Sequence, residues 1–281
     1  LGWAGPTLIE AGTDEQQRRW LPGLVSGEDL WCQLFSEPGA GSDLASLSTA
    51  AVRDGDEWVI NGQKVWTSLA HHARWGILIA RTGPSPGTET PGAGGASKHT
   101  GITYFVCPMD AHGIEIRRIG EVNGAHTFKG VLLTDVLLRD DSRVGDVGQG
   151  WSLAKITLAN ERVSLSAGGV LWGQGPQTEA LYDEVRAAGG VADPVMRQRL
   201  AQTWIEGEVL RLIRMRTISA VVAGKSPGPE ASVRKVLADE HGQDLMAMAK
   251  DLEGAAGLLA GTAVEGLQSV VAAAGTSWSD P

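Results

Sequence analysis

The sequence predicts an α+β protein: a central antiparallel β-barrel or sandwich domain followed by an α-helical bundle domain. Three observations carry this. From Leu30 to about Val144, short runs of β-branched and aromatic residues alternate with Gly, Asp and Pro, the pattern of many short strands joined by turns. After Gly150-Trp151 the apolar residues recur at helical spacing to the end of the chain. Ahead of Leu30 lies one helical stretch. The expected domains are 1–29, the end of a helical domain; 30–147, the β domain; and 148–281, the bundle.

Each element has its own signal. Residues 7–27 are expected as one helix, with Thr13 as a capping residue, Asp14 and Glu15 favouring its dipole, and Trp20, Leu21 and Leu24 on an apolar side. The strongest strands are Trp58-Val59-Ile60, Lys64-Val65-Trp66, Trp75 to Ala80, Ile102 to Val106 and Val131-Leu132-Leu133. The Pro/Gly/Thr/Ser-rich stretch between Arg81 and Gly101 predicts an exposed hairpin loop. Asp193-Pro194 opens a long helix whose buried stripe is expected to run through Met196, Leu200, Trp204 and Leu212, with Ile205, Val209 and Ile213 beside them. Gly224 ends that helix. Pro227-Gly228-Pro229 turns the chain into another long helix through Val233, Leu237, Leu245, Met248 and Leu252, and such antiparallel pairs build a bundle.

Composition narrows the function. With 42% hydrophobic residues in 281 there is enough apolar material for a core, and no uncharged segment is long enough for a membrane span. Lys+Arg 24 against Asp+Glu 33 gives −9, which argues against a nucleic-acid surface. Cys32 and Cys107 make no disulfide framework and have no His or Cys at ligand spacing, so a reduced, cytoplasmic setting is the simplest, without thiol catalysis or a metal site. His71 and His72 lack a third ligand. The ten tryptophans suit core packing and the lining of an apolar ligand cavity equally.

The most informative string is Ser36-Glu37-Pro38-Gly39-Ala40-Gly41-Ser42-Asp43. It sets backbone-permissive residues among hydroxyls and carboxylates, which suits either a tight turn at a strand end or a loop that a ligand approaches closely. It resembles the flavin-contacting signature of the acyl-CoA dehydrogenases, [TS]-E-P-x-A-G-S-D. Asn61-Gly62-Gln63-Lys64-Val65-Trp66-Thr67-Ser68 resembles that family's N-G-x-K-x-W-[IT]-[TS] strand. Gly101 to Val106 and Gly113 to Ile116 look like its later strands; Gly148 to Trp151 and Leu158 to Arg162 look like its domain junction and first C-terminal helix. The resemblance is to a divergent, actinobacterial-type member, from about Gly5 to at least Arg162 and more weakly beyond. It implies an N-terminal helical domain before Leu1 and a closing Gly-Gly-Thr-type segment, both expected to be missing here.

The reaction implied by the resemblance is FAD-dependent α,β-dehydrogenation of a fatty acyl or related CoA thioester, the work of a CH–CH oxidoreductase in lipid metabolism. It needs a base for the α-proton and a flavin for the β-hydride. Glu161 is similar in position to the family's base; a surface salt bridge to Arg162 is its bland alternative. Arg162 is set on the substrate side or as the residue that orders the helix start. Ser36 and Phe35 are similar to the groups that meet the flavin N5 and pyrimidine edge, with Gly41 in the same turn. Trp66 and Ser68 match the indole and hydroxyl of the second flavin strand, although Trp66 also suits simple β-core packing. Ser42 matches a serine that contacts acyl-CoA, or it caps a turn with Asp43. Glu37 ties down the turn backbone.

Departures from the family pattern matter too. Tyr182 to Gly190 stands where R-x-x-F-G is usual, Asp251 replaces the glutamine of Q-x-x-G-G-x-G, and Phe128-Lys129-Gly130-Val131 replaces F-N-E-V. These changes put the inter-subunit half of the FAD site in doubt and leave Arg186, Arg197 and Arg199 as replacement phosphate contacts. The resemblance implies an electron-transfer flavoprotein as acceptor and a homo-oligomer (dimer or tetramer, as in a homotetramer), or a heteromer with a homologous subunit that shares one flavin site. Two alternatives stay open: a half-site partner subunit, and an acyl-CoA oxidase-like enzyme.

Overall fold

The structure, a computed structural model, describes residues 2–83, 97–122, 124–165, 177–224 and 230–255, with backbone alone at 162–165, 221, 230 and 231. Most of the expected 81–101 loop (84–96) and the Pro227-Gly228-Pro229 turn lie outside these residues. The chain divides into two compact units, Leu1–Asn160 and Glu161–Pro281.

The single helix expected over 7–27 is two helices, α1 (Ala4–Ala11) and α2 (Asp14–Ser26). Gly12 leaves the helical region and Thr13 starts α2 with a capping box, its Oγ1 accepting from Gln16 N (3.2 Å) while Gln16 Oε1 accepts from Thr13 N (3.0 Å). Two donors that a helix start leaves unpaired are thereby satisfied. Gln16 Nε2 also donates to Asp141 O and Arg143 O, at 2.9 and 2.7 Å, which fastens α2 to the sheet's far end.

The sheet comprises β1 (Trp31–Leu34), β2 (Ala50–Asp54), β3 (Glu57–Ser68), β4 (Trp75–Arg81), β5 (Ile102–Pro108), β6 (Ile114–Arg118), β7 (Phe128–Arg139) and β8 (Arg143–Val144). Its order is β6-β7-β3-β2-β4-β5-β8, with β1 alongside β4. Most pairs are antiparallel, as expected, but β1 and the start of β2 lie parallel to β4. Leu34 pairs with Leu78 and Ala50 with Arg81. The chain therefore leaves the β4 edge at Leu34 and rejoins it at Ala50, and residues 35–49 are an excursion from that edge.

Both faces of β4 and β5 are buried. Ile77, Ile79, Tyr104 and Val106 join Leu8, Trp20 and Leu24 in one core, while Leu78, Ala80 and Phe105 join Trp58, Ile60, Val131 and Leu133 in another. Cover on both faces explains why Trp75 to Ala80 lacks polar alternation. Because β3 and β7 pack across from strands of their own sheet, the sheet curls over on itself, in keeping with the barrel or sandwich expectation. Each fully buried Leu, Ile or Phe contributes about 1.5–3 kcal/mol. The helix α3 (Gly150–Leu165) begins on this unit, where the buried Thr157 Oγ1 shares hydrogen bonds with Thr7 Oγ1 (2.7 Å) and Tyr104 OH (3.1 Å).

The second unit holds α4 (Thr178–Ala187), α5 (Pro194–Val222) and α6 (Glu230–Leu252) around Leu181, Leu200, Leu245 and Met248. Asp193 caps α5 as expected, its Oδ1 accepting from Val195 N at 2.9 Å. The expected stripe holds at Met196, which packs against this core, and is corrected beyond it. Leu200 is buried, but Trp204, Ile205, Val209 and Leu212 are exposed, and the face turned inward carries Thr203, Leu210 and Thr217. Threonine can occupy such a face because its hydroxyl bonds its own helix: Thr203 donates to Arg199 O and Thr217 to Ile213 O, both at 3.0 Å. His241 Nε2 lies 2.8 Å from Thr178 Oγ1 and its Nδ1 lies 3.3 Å from Glu206 Oε2. That order imitates a nucleophilic relay, yet both Thr178 and His241 are buried and a Cβ at Gly207 would come within 2.5 Å of the Thr178 hydroxyl. No substrate fits there; the network joins three helices.

Candidate functional site

The excursion 35–49 opens with a tight turn. Glu37 and Ala40 exchange N–H to C=O bonds of 3.0 Å each, with Pro38 and Gly39 between them. Proline's fixed φ suits the first central position of such a turn. Phe35 enters the core edge-on to Tyr104, ring centroids 6.0 Å apart. Ser36 is half-buried; Gly41, Ser42 and Asp43 are exposed. The turn beyond is held from Asp43, which accepts from Ser46 Oγ (2.6 Å) and Lys98 Nζ (2.6 Å), rather than from Ser42.

The second segment is the end of β3. In its pairing with β7, Lys64 faces Val131 and Thr67 faces Lys129, so Val65 and Trp66 together oppose Gly130. This is a β-bulge, and it places Trp66 at φ 59°. A bulky residue rarely adopts a left-handed backbone, and such strain gathers at functional positions. The Trp66 indole is 60% exposed and meets Phe128 edge-on at 5.9 Å. It is not a core residue. Ser68, half-buried, lies between Trp66 and Leu69, which also has φ 59°.

The two segments are adjacent. Val65 N donates to Ser36 O at 2.9 Å, and Lys64 Nζ donates to Phe35 O at 3.0 Å. Phe35, Ser36 and Trp66 are thus brought together, with Ser68 further along the same strand. Glu161 is half-buried on α3, in the other unit, and the side chain of Arg162 lies outside the described residues. Among the other candidates, Arg186 pairs with Asp183 and Arg199 with Asp251.

Sequence reasoning left Lys64 and Arg81 unassigned. Lys64 is fully buried and bonds Glu37 Oε1 at 2.8 Å. Burial opposes the Glu37 carboxylate, but Lys64 and the Thr49 and Ser48 donors outweigh it and hold its pKa down to about 2. Burial lowers the Lys64 pKa, to about 8, against the pull of Glu37. Arg81, also buried, donates to Ala45 O, Leu47 O, Lys98 O and Thr100 O at 2.7 to 3.2 Å. The sequence signal for Lys64 was its place as the lysine of the N-G-x-K-x-W motif, and for Arg81 a cation at the end of the apolar run of β4. No group of three His, Cys, Asp or Glu among the described residues could hold a metal.

Fold and site together define a protein of the acyl-CoA dehydrogenase type. Residues 32–136 match the family model of the acyl-CoA dehydrogenase middle domain, and 148–275 that of the C-terminal domain. The chain is 43% identical over 263 residues to the acyl-CoA dehydrogenase FadE34 of Mycobacterium tuberculosis, covering 93% of this chain and 35% of that protein. It is 39% identical to IpdE1 of the same organism, covering 90% and 63%. Among solved structures it is similar to the Tcur3481-Tcur3483 steroid ACAD, at 33% identity and TM-score 0.81, over 97% of this chain and 69% of that one. The ChsE4-ChsE5 complex of Mycobacterium tuberculosis is similar at 32% identity and TM-score 0.75, over 92% and 65%. The chain belongs to the acyl-CoA dehydrogenase family. It spans about a third of FadE34 and just under two thirds of IpdE1.

Members of this family are FAD-binding flavoproteins, and the residues present fit that group. A Cβ at Gly39 or Gly41 would meet nothing within 4 Å, and neither residue has a left-handed φ. The chain's own packing demands glycine at neither place, so the open space there can admit a ligand to the backbone. Trp66 supplies a strained, exposed aromatic surface on the neighbouring strand, as a planar ring system needs.

Proposed function

We propose that this chain carries out FAD-dependent α,β-dehydrogenation of an acyl-CoA thioester. The observation that supports it most is the adjacency of the two motif segments, with Ser36 bonded to Val65 and the Trp66 indole exposed beside them. Phe35, Ser36, Gly41, Trp66 and Ser68 would hold FAD, which would supply the acceptor for the β-hydride. Glu161 takes the α-proton, so the thioester loses one proton and one hydride and becomes the α,β-unsaturated product. Ser42 contacts the CoA portion and Arg162 orders the substrate side. Electrons then leave to an electron-transfer flavoprotein. A cytoplasmic setting goes with this, on the two free, buried thiols Cys32 and Cys107; among the described residues no helix is long and apolar enough to cross a membrane.

A second reading has an observation of its own. The arginine motif expected for the flavin pyrophosphate is absent from 182–190, and two relatives of known structure are named as pairs of unlike chains. On that reading the chain shares its flavin site with a homologous subunit. Purification alone and with a homologue separates the two, since only a heteromeric site stays colourless without its partner. The base is tested by Glu161→Gln, which is expected to retain bound flavin but to abolish its bleaching by substrate. Normal bleaching in that variant removes Glu161 from the role.

A further inference from the structure

The two segments of the candidate flavin site meet through one buried ion pair. The Lys64 side chain is 0% exposed and that of Glu37 3%, with 2.8 Å between Nζ and Oε1. Lys64 Nζ also donates to Phe35 O, while Glu37 Oε2 accepts from Ser48 N (2.7 Å) and Ser48 Oγ (2.8 Å), and Oε1 from Thr49 N (2.9 Å). One carboxylate and one ammonium therefore bind three stretches of chain: the turn at 35–37, the return at 48–49, and β3. Val65, the next residue after Lys64, donates to Ser36 O, and Trp66 follows it on the bulge. On the far side Arg81 holds Ala45 O and Leu47 O, and the Glu37 carboxylate partly offsets the burial that disfavours the Arg81 charge.

A buried ion pair adds little net stability, because the loss of hydration offsets most of the attraction. What it does supply is direction: hydrogen-bonded charges in an apolar interior tolerate little displacement. We infer that the Lys64–Glu37 pair is the positioning element of the flavin site, fixing Phe35 and Ser36 against the Trp66 bulge in one frame. Neither side chain needs to touch the flavin for this. The inference rests on the flavin reading above, and its test has an arm that does not depend on flavin.

The test compares the wild-type chain with Glu37→Gln/Lys64→Met, which removes both charges and nearly preserves shape, so that no lone charge is left buried. In apo-protein, amide hydrogen exchange at Val65 is expected to quicken at least tenfold, while Ile77 and Tyr104 in the β4–β5 core keep their wild-type rates. The dissociation constant for FAD is expected to rise at least tenfold. If the double variant fails to fold, Lys64→Met alone, which leaves the Glu37 carboxylate its bonds from Ser48 N, Ser48 Oγ and Thr49 N, is measured in the same way. A folded variant with Val65 exchange within twofold of wild type overturns the inference, whatever its flavin affinity. A wild-type chain that takes up no FAD, alone or with a homologous subunit, overturns the flavin reading instead, and the positioning role with it.

Discussion

Trp66 gives the sharpest choice between a ligand-facing and a core side chain. A buried tryptophan cut back to a small residue costs about 3–5 kcal/mol. Here the residue is 60% exposed, so roughly 100 Å² of its surface is covered, worth about 2.5 kcal/mol at ~25 cal/mol per Å². Trp66→Gly loses that and a further ~0.5–1 kcal/mol of chain entropy, but it relieves a left-handed backbone worth ~1–2 kcal/mol. The net expectation is a loss of about 1–2.5 kcal/mol. Trp66→Ala loses the same contacts and keeps the strain, so it should be about 1 kcal/mol less stable than the glycine variant. Urea unfolding gives both values, and flavin fluorescence gives FAD affinity, which should fall tenfold or more in each. A loss of 3 kcal/mol or more in the glycine variant, with FAD affinity unchanged, would refute the reasoning. An alanine variant at least as stable as the glycine variant would refute the strained bulge.

Three other outcomes follow from the same structure. Gly41→Ala meets open space and is expected to leave stability within about 0.5 kcal/mol while weakening FAD binding; Gly150→Ala brings a Cβ within 2.6 to 2.7 Å of the Thr103 backbone and should cost about 1–3 kcal/mol in urea unfolding. Thr157→Val deprives Tyr104 OH and Thr7 Oγ1 of their shared partner and should cost about 2–4 kcal/mol, whereas Thr157→Ser should cost less. Glu37 has a folded pKa of about 2 against 4.5 for its ordinary value, so its stabilising contribution is complete above pH 4.5 and is lost as the pH falls towards 2. Glu37→Gln should flatten the stability profile in that window, by up to about 3 kcal/mol; an unchanged slope would mean that the carboxylate is not held as described.

What the sequence disclosed was what local chemistry decides. The Pro38-Gly39 turn, the Thr13 cap, the Asp193-Pro194 helix start and the apolar runs of β4 and β5 were all legible, because each depends on residues close together in the chain. Long-range arrangement was not. Nothing local shows that β1 and β2 lie along the same edge of β4, although that makes residues 35–49 an excursion. Lys64 and Arg81 would be placed in solvent by their polarity, and only the fold supplies the carboxylate and carbonyls that let them be buried. The inward face of α5 was misjudged for a related reason: Thr203 and Thr217 satisfy their own hydroxyls, while Ile205 and Leu212 stay exposed. Of the site, the segments Phe35–Ser42 and Trp66–Ser68 were legible as motifs, and the ion pair that joins them was not.

The most direct measurement of the proposed activity is an anaerobic titration of the purified chain with a panel of acyl-CoA thioesters, followed by flavin absorbance. The account predicts a yellow protein whose flavin band bleaches with at least one thioester, and a Glu161→Gln variant that stays coloured and unbleached. A chain that binds FAD, alone or with a homologous subunit, yet is bleached by no acyl-CoA would contradict it.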